Sequence, residues 1–232
     1  MNLFVGTSGF SYKEWKGPFY PEDLPEKEML KYYSSRLNTV EINNTFYRMP
    51  KDSLLKSWAS QVPEGFRFIL KASQKITHFK RLKETAEEMA YLLNTVKVLG
   101  KNLGALLFQL PPNLKKDLPR LQSFLTLLSP DVRSAFEFRH ASWFDGETFD
   151  CLRDHGCALC IADADDDLEI PFVGTAGWGY LRLRREAYTE KDLKEWKTKI
   201  EGQGWDEVFV FFKHEDAATG PNLAESFLRG EF

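Results

Sequence analysis

Eight short β-rich runs, LFVGT, TVEIN, FRFILKAS, GALLFQL, SAFEFRH, ALCIAD, GYLRLR and EVFVFFK, recur along the chain, and most are separated by segments of helical pattern. A strand followed by a helix and then another strand favours parallel pairing, because the chain must cross back over the sheet before it can pair again. The intervening helical segments are EKEMLKYYSSRL, SLLKSWASQ, KETAEEMAYLLNTVKVLG, LPRLQSFLTLL, ETFDCLRDHG, TEKDLKEWKTKIEG and PNLAESFLRG, several of which end at a glycine as helices often do. Alternation of this kind in 232 residues is the pattern of a TIM-like (β/α)8 barrel. Between Asp163 and Gly179, Pro171 and two further glycines leave little room for a helix, so one helix is expected to be missing between the sixth and seventh strands. No linker-like stretch divides the chain and no other repeat occurs, which predicts a single domain over residues 1–232. An open doubly wound sheet is the alternative.

Hydrophobic residues make up 43% of the chain, enough for an ordinary core. Lys plus Arg (31) against Asp plus Glu (34) leaves a formal charge of -3, so there is no global basic footprint and net charge does not support a nucleic-acid partner. Any attraction for an anion must be local. The start MNLFVGTSGF lacks a basic region followed by a long apolar run, and no segment approaches the ~20 apolar residues of a membrane span, so the expectation is a cytoplasmic protein without a membrane partner. An odd count of three cysteines fits a reducing compartment. Cys157 and Cys160 form a CxxC inside a strand-like run, where residues three apart face opposite sides, and the pair is expected to be inert.

In such a barrel function gathers at the C-terminal ends of the strands. Side chains alternate across a strand, so in SAFEFRHASWF the phenylalanines Phe136 and Phe138 should face the helices while Glu137 and Arg139 enter the mouth. The same alternation assigns Thr7, Glu41, Asn43, Lys71, Gln109, Asp163, Arg182, Arg184 and Lys213 to the mouth. Five of these are cations and three, Glu41, Glu137 and Asp163, are carboxylates. Buried charges cost several kcal/mol each unless paired, so a cationic surplus calls for an anionic ligand. The competing explanation is a set of internal ion pairs, Glu137 with Arg139 or Glu41 with Arg182, that satisfy one another. The GTSG turn could add backbone N–H groups to an anion, and a tight turn accounts for it equally.

The stretches GTSGFSYKEWKGPFYP, VEINNTFYRMP, GALLFQLPP, FEFRHASWF and FFKHEDAATGPNLA together resemble the domain of unknown function 72 proteins, the YecE-like family. The resemblance spans nearly the whole chain. It implies a TIM-like barrel and no particular reaction. Family-like positions are Gly6, Thr7, Ser8, Gly9, Trp15, Tyr20, Glu41, Asn43, Phe46 and Tyr47, and later Gln109, Pro111, Glu137, Arg139, Trp143, Asp163 and Arg182. The chain departs from the family pattern at Arg182-Leu183-Arg184-Arg185, where many members look like RLHG, and at FFKHE, which replaces an Asn-rich end.

The leading expectation is an enzyme for a small phosphate- or carboxylate-bearing substrate, hydrolase- or lyase-like, with no cofactor. Glu41 and Glu137 would exchange protons as the catalytic pair. Thr7, Ser8, Asn43, Tyr47, Lys71, Gln109, Arg139, Trp143, Asp163 and Arg182 would bind the substrate. The four histidines show no HxxxH or HExxH spacing, and no metal site is assigned. Two alternatives stay open. One is a metal-assisted nuclease- or isomerase-like barrel, with a divalent ion on Glu41, Glu137, Asp163 and a histidine. The other is a non-catalytic ligand-binding module. No protein partner is inferable.

Overall fold

Parallel pairing runs unbroken round the sheet of the computed structural model, which describes residues 1–213 and 217–231. The strands are β1 Asn2–Ser8, β2 Thr39–Ile42, β3 Arg67–Lys71, β4 Leu103–Gln109, β5 Ser134–Glu137, β6 Ala158–Asp163, β7 Trp178–Leu183 and β8 Glu207–Phe212. Each pairs with the next, and β8 closes on β1 in the register Asn2 to Glu207 through Thr7 to Phe212. The α-helices among the described residues are α1 Met29–Arg36, α2 Asp52–Gln61, α3 Ala86–Val96, α4 Leu118–Leu125, α5 Gly146–Asp154, α6 Glu190–Glu201 and α7 Thr219–Arg229. This is the TIM-like barrel read from the alternation, and no α-helix lies between β6 and β7. No described helix is long and apolar enough to cross a membrane.

Local chemistry sets the helix starts. Asp117 accepts a hydrogen bond from the Arg120 N–H (3.1 Å) at α4, and Asp145 accepts one from Thr148 N–H (3.0 Å) at α5. Thr189 and Asp192 form a reciprocal capping box at α6. Each satisfies N–H groups that have no partner within their own helix. The run KETAEEMAYLLNTVKVLG is not one helix: the chain continues from α3 in a 3-10 turn, Lys97–Asn102, and leaves helical geometry at Gly100.

Two apolar layers follow from strand alternation. Phe4, Ile69, Leu107, Ala135, Cys160, Tyr180, Phe209 and Phe211 fill the lumen. Val5, Val40, Phe68, Phe108, Phe136, Leu181 and Val210 face the helices. Phe136 lies against Phe108 at 5.2 Å and against Phe124 of α4 at 6.1 Å, the outward packing expected of it. Cys157 sits in the outer layer and Cys160 in the lumen, both buried as free thiols. Burial pushes the Cys157 thiol up to about 12, far from a reactive thiolate.

The segment between β6 and β7 takes over the packing that a helix would supply. Phe172 meets Trp196 and Trp205, each at 5.9 Å, and Thr175 Oγ1 donates to Cys157 O (2.8 Å) while accepting from Leu159 N–H (2.7 Å). Gly179 is where Trp205 comes closest to the sheet, since a Cβ there would lie 2.4 Å from the indole. Trp205 is buried and cannot swing into solvent. Gly179→Ala should therefore destabilise the barrel by about 1–3 kcal/mol through overpacking. Urea unfolding would show this as an earlier midpoint with unchanged slope. An unchanged midpoint would mean that the indole yields freely.

Candidate binding site at the barrel mouth

Arg182, pointing into the lumen from β7, forks between two carboxylates that arrive from other sides of the barrel. Its Nη2 lies 2.9 Å from Glu41 Oε1 of β2 and its Nη1 lies 2.6 Å from Glu137 Oε2 of β5. All three side chains are buried. Ser8 Oγ donates to Glu41 Oε1 (2.7 Å), Tyr180 OH donates to Glu41 Oε2 (2.5 Å), and Asn43 Nδ2 donates to Glu41 Oε1 (3.1 Å). On the other side Gln109 Nε2 donates to Glu137 Oε2 (2.8 Å) and takes a bond from Lys71 Nζ on its Oε1 (2.8 Å). A carboxylate only accepts, so the Asn43 amide must turn its nitrogen inward. That leaves its Oδ1 buried without a partner.

Above this floor is a cavity of about 290 Å³. Lys71, Arg139, Arg182, Arg184 and Lys213 line it, together with Tyr12, Asn43, Asn44, Phe46, Tyr47 and Gln109, and among the described residues no Asp or Glu does. Arg184 Nη2 and Arg139 Nε stand 3.6 and 4.0 Å from Glu137 Oε1, and Arg139 also reaches to 3.9 Å from Asp166 at the rim. Among the described residues, and with Lys71 protonated, five cations stand against Glu41, Glu137 and the rim Asp166, a surplus of two.

The electrostatics follow from this arrangement. Burial pushes the Glu137 carboxyl up, but Arg182, Arg184 and the Gln109 bond overcome it and hold the group at about 2. Burial likewise opposes ionisation of Glu41, and Arg182, Tyr180 and Ser8 reverse that, leaving it below the usual carboxylate range. Both are anions at neutral pH and neither lines the cavity. Lys71 behaves oppositely: burial and then Arg182 bring its ammonium down to about 8, the two glutamates only partly resisting.

Other expected site residues do not join the cluster. Asp163 lies on the outer face of β6, bonded to Arg185 Nε (2.8 Å) and Trp196 Nε1 (3.1 Å). Thr7 also faces outward, its hydroxyl bonded to Tyr33 OH (2.9 Å) and Gly9 O (2.6 Å). Trp143 is fully buried, stacked on Phe138 at 4.7 Å, with Nε1 donating to Leu114 O (2.8 Å). Trp15 and Tyr20 are buried as well, whereas Tyr47 stands exposed at the rim. The GTSG turn spends its amides internally, Thr7 N–H on Tyr33 OH and Gly9 N–H on Glu41 O (2.8 Å). Gly9 has φ +102°, and a Cβ there would lie 2.5 Å from the Tyr12 hydroxyl and 2.8 Å from its ring, so tight-turn geometry explains the glycine. The three carboxylates considered for a divalent ion do not converge, because Arg182 separates two of them and the third faces outward. No described group of three His, Cys, Asp or Glu is arranged to hold a metal. His140 caps a short turn through Ser142 N–H (3.1 Å), and His214 lies outside the described residues.

The model of a family described as protein of unknown function DUF72 matches residues 4–230. The chain belongs to the DUF72 family. UPF0759 protein YunF of Bacillus subtilis (strain 168) is 26% identical over 97% of this chain and 93% of YunF. UPF0759 protein YecE of Escherichia coli (strain K12) is 30% identical over 61% of this chain and 50% of YecE. A solved DUF72 family protein from Thermotoga maritima MSB8 superimposes with a TM-score of 0.83 at 27% identity, covering 99% of both chains. Another, from Enterococcus faecalis V583, gives 0.82 at 19% identity and shows the shared fold.

In this DUF72 barrel the sequence reading overlooked Tyr180 and Tyr12. Tyr180 was accessible by parity, since it stands two residues before Arg182 on the same face of β7. Tyr12 lies in a loop, where no periodicity points to the cavity.

Proposed function

We propose that the barrel mouth binds a small phosphate- or carboxylate-bearing molecule and that the protein is an enzyme acting on it there. The observation that carries this reading is the lining of the cavity: among the described residues, five cations, no carboxylate, and an anionic floor that orients Arg182. Arg139 and Arg184 supply forked donors suited to phosphate or carboxylate oxygens, and Lys71 and Lys213 add charge. Asn43 and Gln109 fix the neutral part of the ligand by hydrogen bonds. Glu41 and Glu137 serve as permanent anions that keep Arg182 extended and charged.

An anion that binds only the native state stabilises it by mass action. Phosphate, pyrophosphate, sulfate and citrate, each compared with chloride at equal ionic strength, should raise the melting temperature, by about 5–10 °C for a ligand present at a hundred times its Kd. The Arg139→Ala, Arg184→Ala double variant should lose most of that rise. Equal melting temperatures across the whole panel would refute the reading.

A further inference from the structure

Lys71 stands apart from the other cations of the mouth. Its ammonium is partly buried, placed 4.2 Å from the centroid of the Phe46 ring and bonded to Gln109, and among the described residues no carboxylate contacts it directly. The other cations near it repel its charge: Arg182 from β7, Lys213 after β8, and Arg139 after β5 on the same cavity wall. Glu41 and Glu137 face it from β2 and β5 but are engaged by Arg182. His78, in the turn after β3, is itself held neutral by burial and by Lys71. A partly buried amine among other cations sheds its proton more readily than one in water, and a neutral amine is a nucleophile.

We propose that Lys71 is the catalytic nucleophile of the site and forms an imine with a small carbonyl compound that carries an anionic group. The proposal rests on the anion-binding reading above and gives it a reaction class. The arginines hold the anionic group so that the carbonyl carbon approaches Nζ. The nitrogen lone pair attacks that carbon, and the carbonyl π electrons move to oxygen, which takes up a proton. The nitrogen of the resulting carbinolamine loses a proton, the hydroxyl takes up a second proton from solvent, and the nitrogen lone pair then expels it as water. Amine plus carbonyl plus one proton thus gives iminium plus water, and loss of that proton gives the imine, with no oxidant or reductant consumed. The iminium so formed is an electron sink for bond cleavage or proton loss at the adjacent carbon, which fits lyase-like chemistry. The anionic group is a carboxylate in a 2-oxo acid or a phosphate in a phosphorylated aldehyde or ketone; both share the same recognition.

Borohydride trapping tests this directly. The protein is incubated with pyruvate or glyoxylate in one arm and with glyceraldehyde 3-phosphate or dihydroxyacetone phosphate in the other. Reduction with borohydride and peptide mass spectrometry then locate the secondary amine. In at least one arm Lys71 should be labelled at least tenfold more than exposed lysines such as Lys13 and Lys191, with labelling rising between pH 6.5 and 8.5 and suppressed by inorganic phosphate. The arm that labels identifies the anionic group. Lys71→Arg removes the nucleophile, so the variant, shown to be folded by an unchanged far-UV spectrum, should lose the label. Labelling of Lys71 no greater than that of Lys13 in both arms would overturn the proposal. If the phosphate response persists in that case, the binding site stands without the nucleophile; if it is absent too, the binding reading falls as well.

Discussion

Arg182→Ala should destabilise the barrel by roughly 3–5 kcal/mol, a fall of about 6–20 °C in melting temperature for a chain of this size. The loss of one cation unpairs two buried carboxylates at once, Glu41 and Glu137, which no other described side chain bridges. The pH dependence separates this mechanism from simple loss of packing. In the wild-type protein Glu137 titrates at about 2 against an ordinary 4.5, so its contribution is complete above pH 4.5 and is lost as the pH falls through about 2. In the variant burial acts without Arg182 and raises both carboxyls, so they burden the fold at neutral pH and are relieved as acid protonates them. The gap between the two proteins should therefore narrow from pH 7.5 to pH 5, as read from urea midpoints. Arg182→Lys should recover only part of the loss, because one ammonium cannot fork to two carboxylates in this geometry. A variant within 1 kcal/mol of wild type, or a gap that widens with acid, would show that the carboxylates are solvated by another route.

Trp143→Ala should cost a comparable amount, about 3–5 kcal/mol, and for a different reason. The indole fills a site with no solvent exposure, stacks on Phe138 and saturates the Leu114 carbonyl, so its removal leaves both a void and an unpaired acceptor. Trp143→Phe should retain the stack and lose only about 1 kcal/mol with the hydrogen bond. Neither change touches the cavity lining. The phosphate-induced rise in melting temperature should survive in the folded fraction of both, and its loss would return Trp143 to the binding site.

Trp143 also shows where sequence reading stops. Its position after a barrel strand is equally suited to a substrate platform and to a loop that folds back onto the sheet, and nothing in HASWF distinguishes the two. Strand parity was far more informative. Glu41, Lys71, Gln109, Glu137 and Arg182 all fall on the inward register, and their convergence follows from alternation along each strand. Thr7 and Asp163 were assigned to the mouth with the alternation one residue out of phase: Phe4 and Cys160 face the lumen, so parity counted from them sends both outward. The depth of each group was not legible. Alternation gives a direction without a height, and height decides that Glu41 and Glu137 lie under the cavity while Arg139 and Arg184 line it. The helix missing before β7 could be seen from Pro171 and the glycines, but its replacement by Phe172 between two tryptophans depends on contacts that no local pattern encodes.

The fork of Arg182 has a consequence for how this chain is made. A ribosome delivers Glu41 and Glu137 before the residue that bonds them both, and Arg182 follows Glu41 by 141 positions. Until then two carboxylates belong to a lumen that holds nothing to bridge them, and for each the cheapest neighbour is water. Six nascent staves therefore gain little by shutting around them. The seventh brings the guanidinium that makes drying the inside of the barrel downhill, and β8, which follows it, completes the ring by pairing with β1, so closure is expected to wait for both.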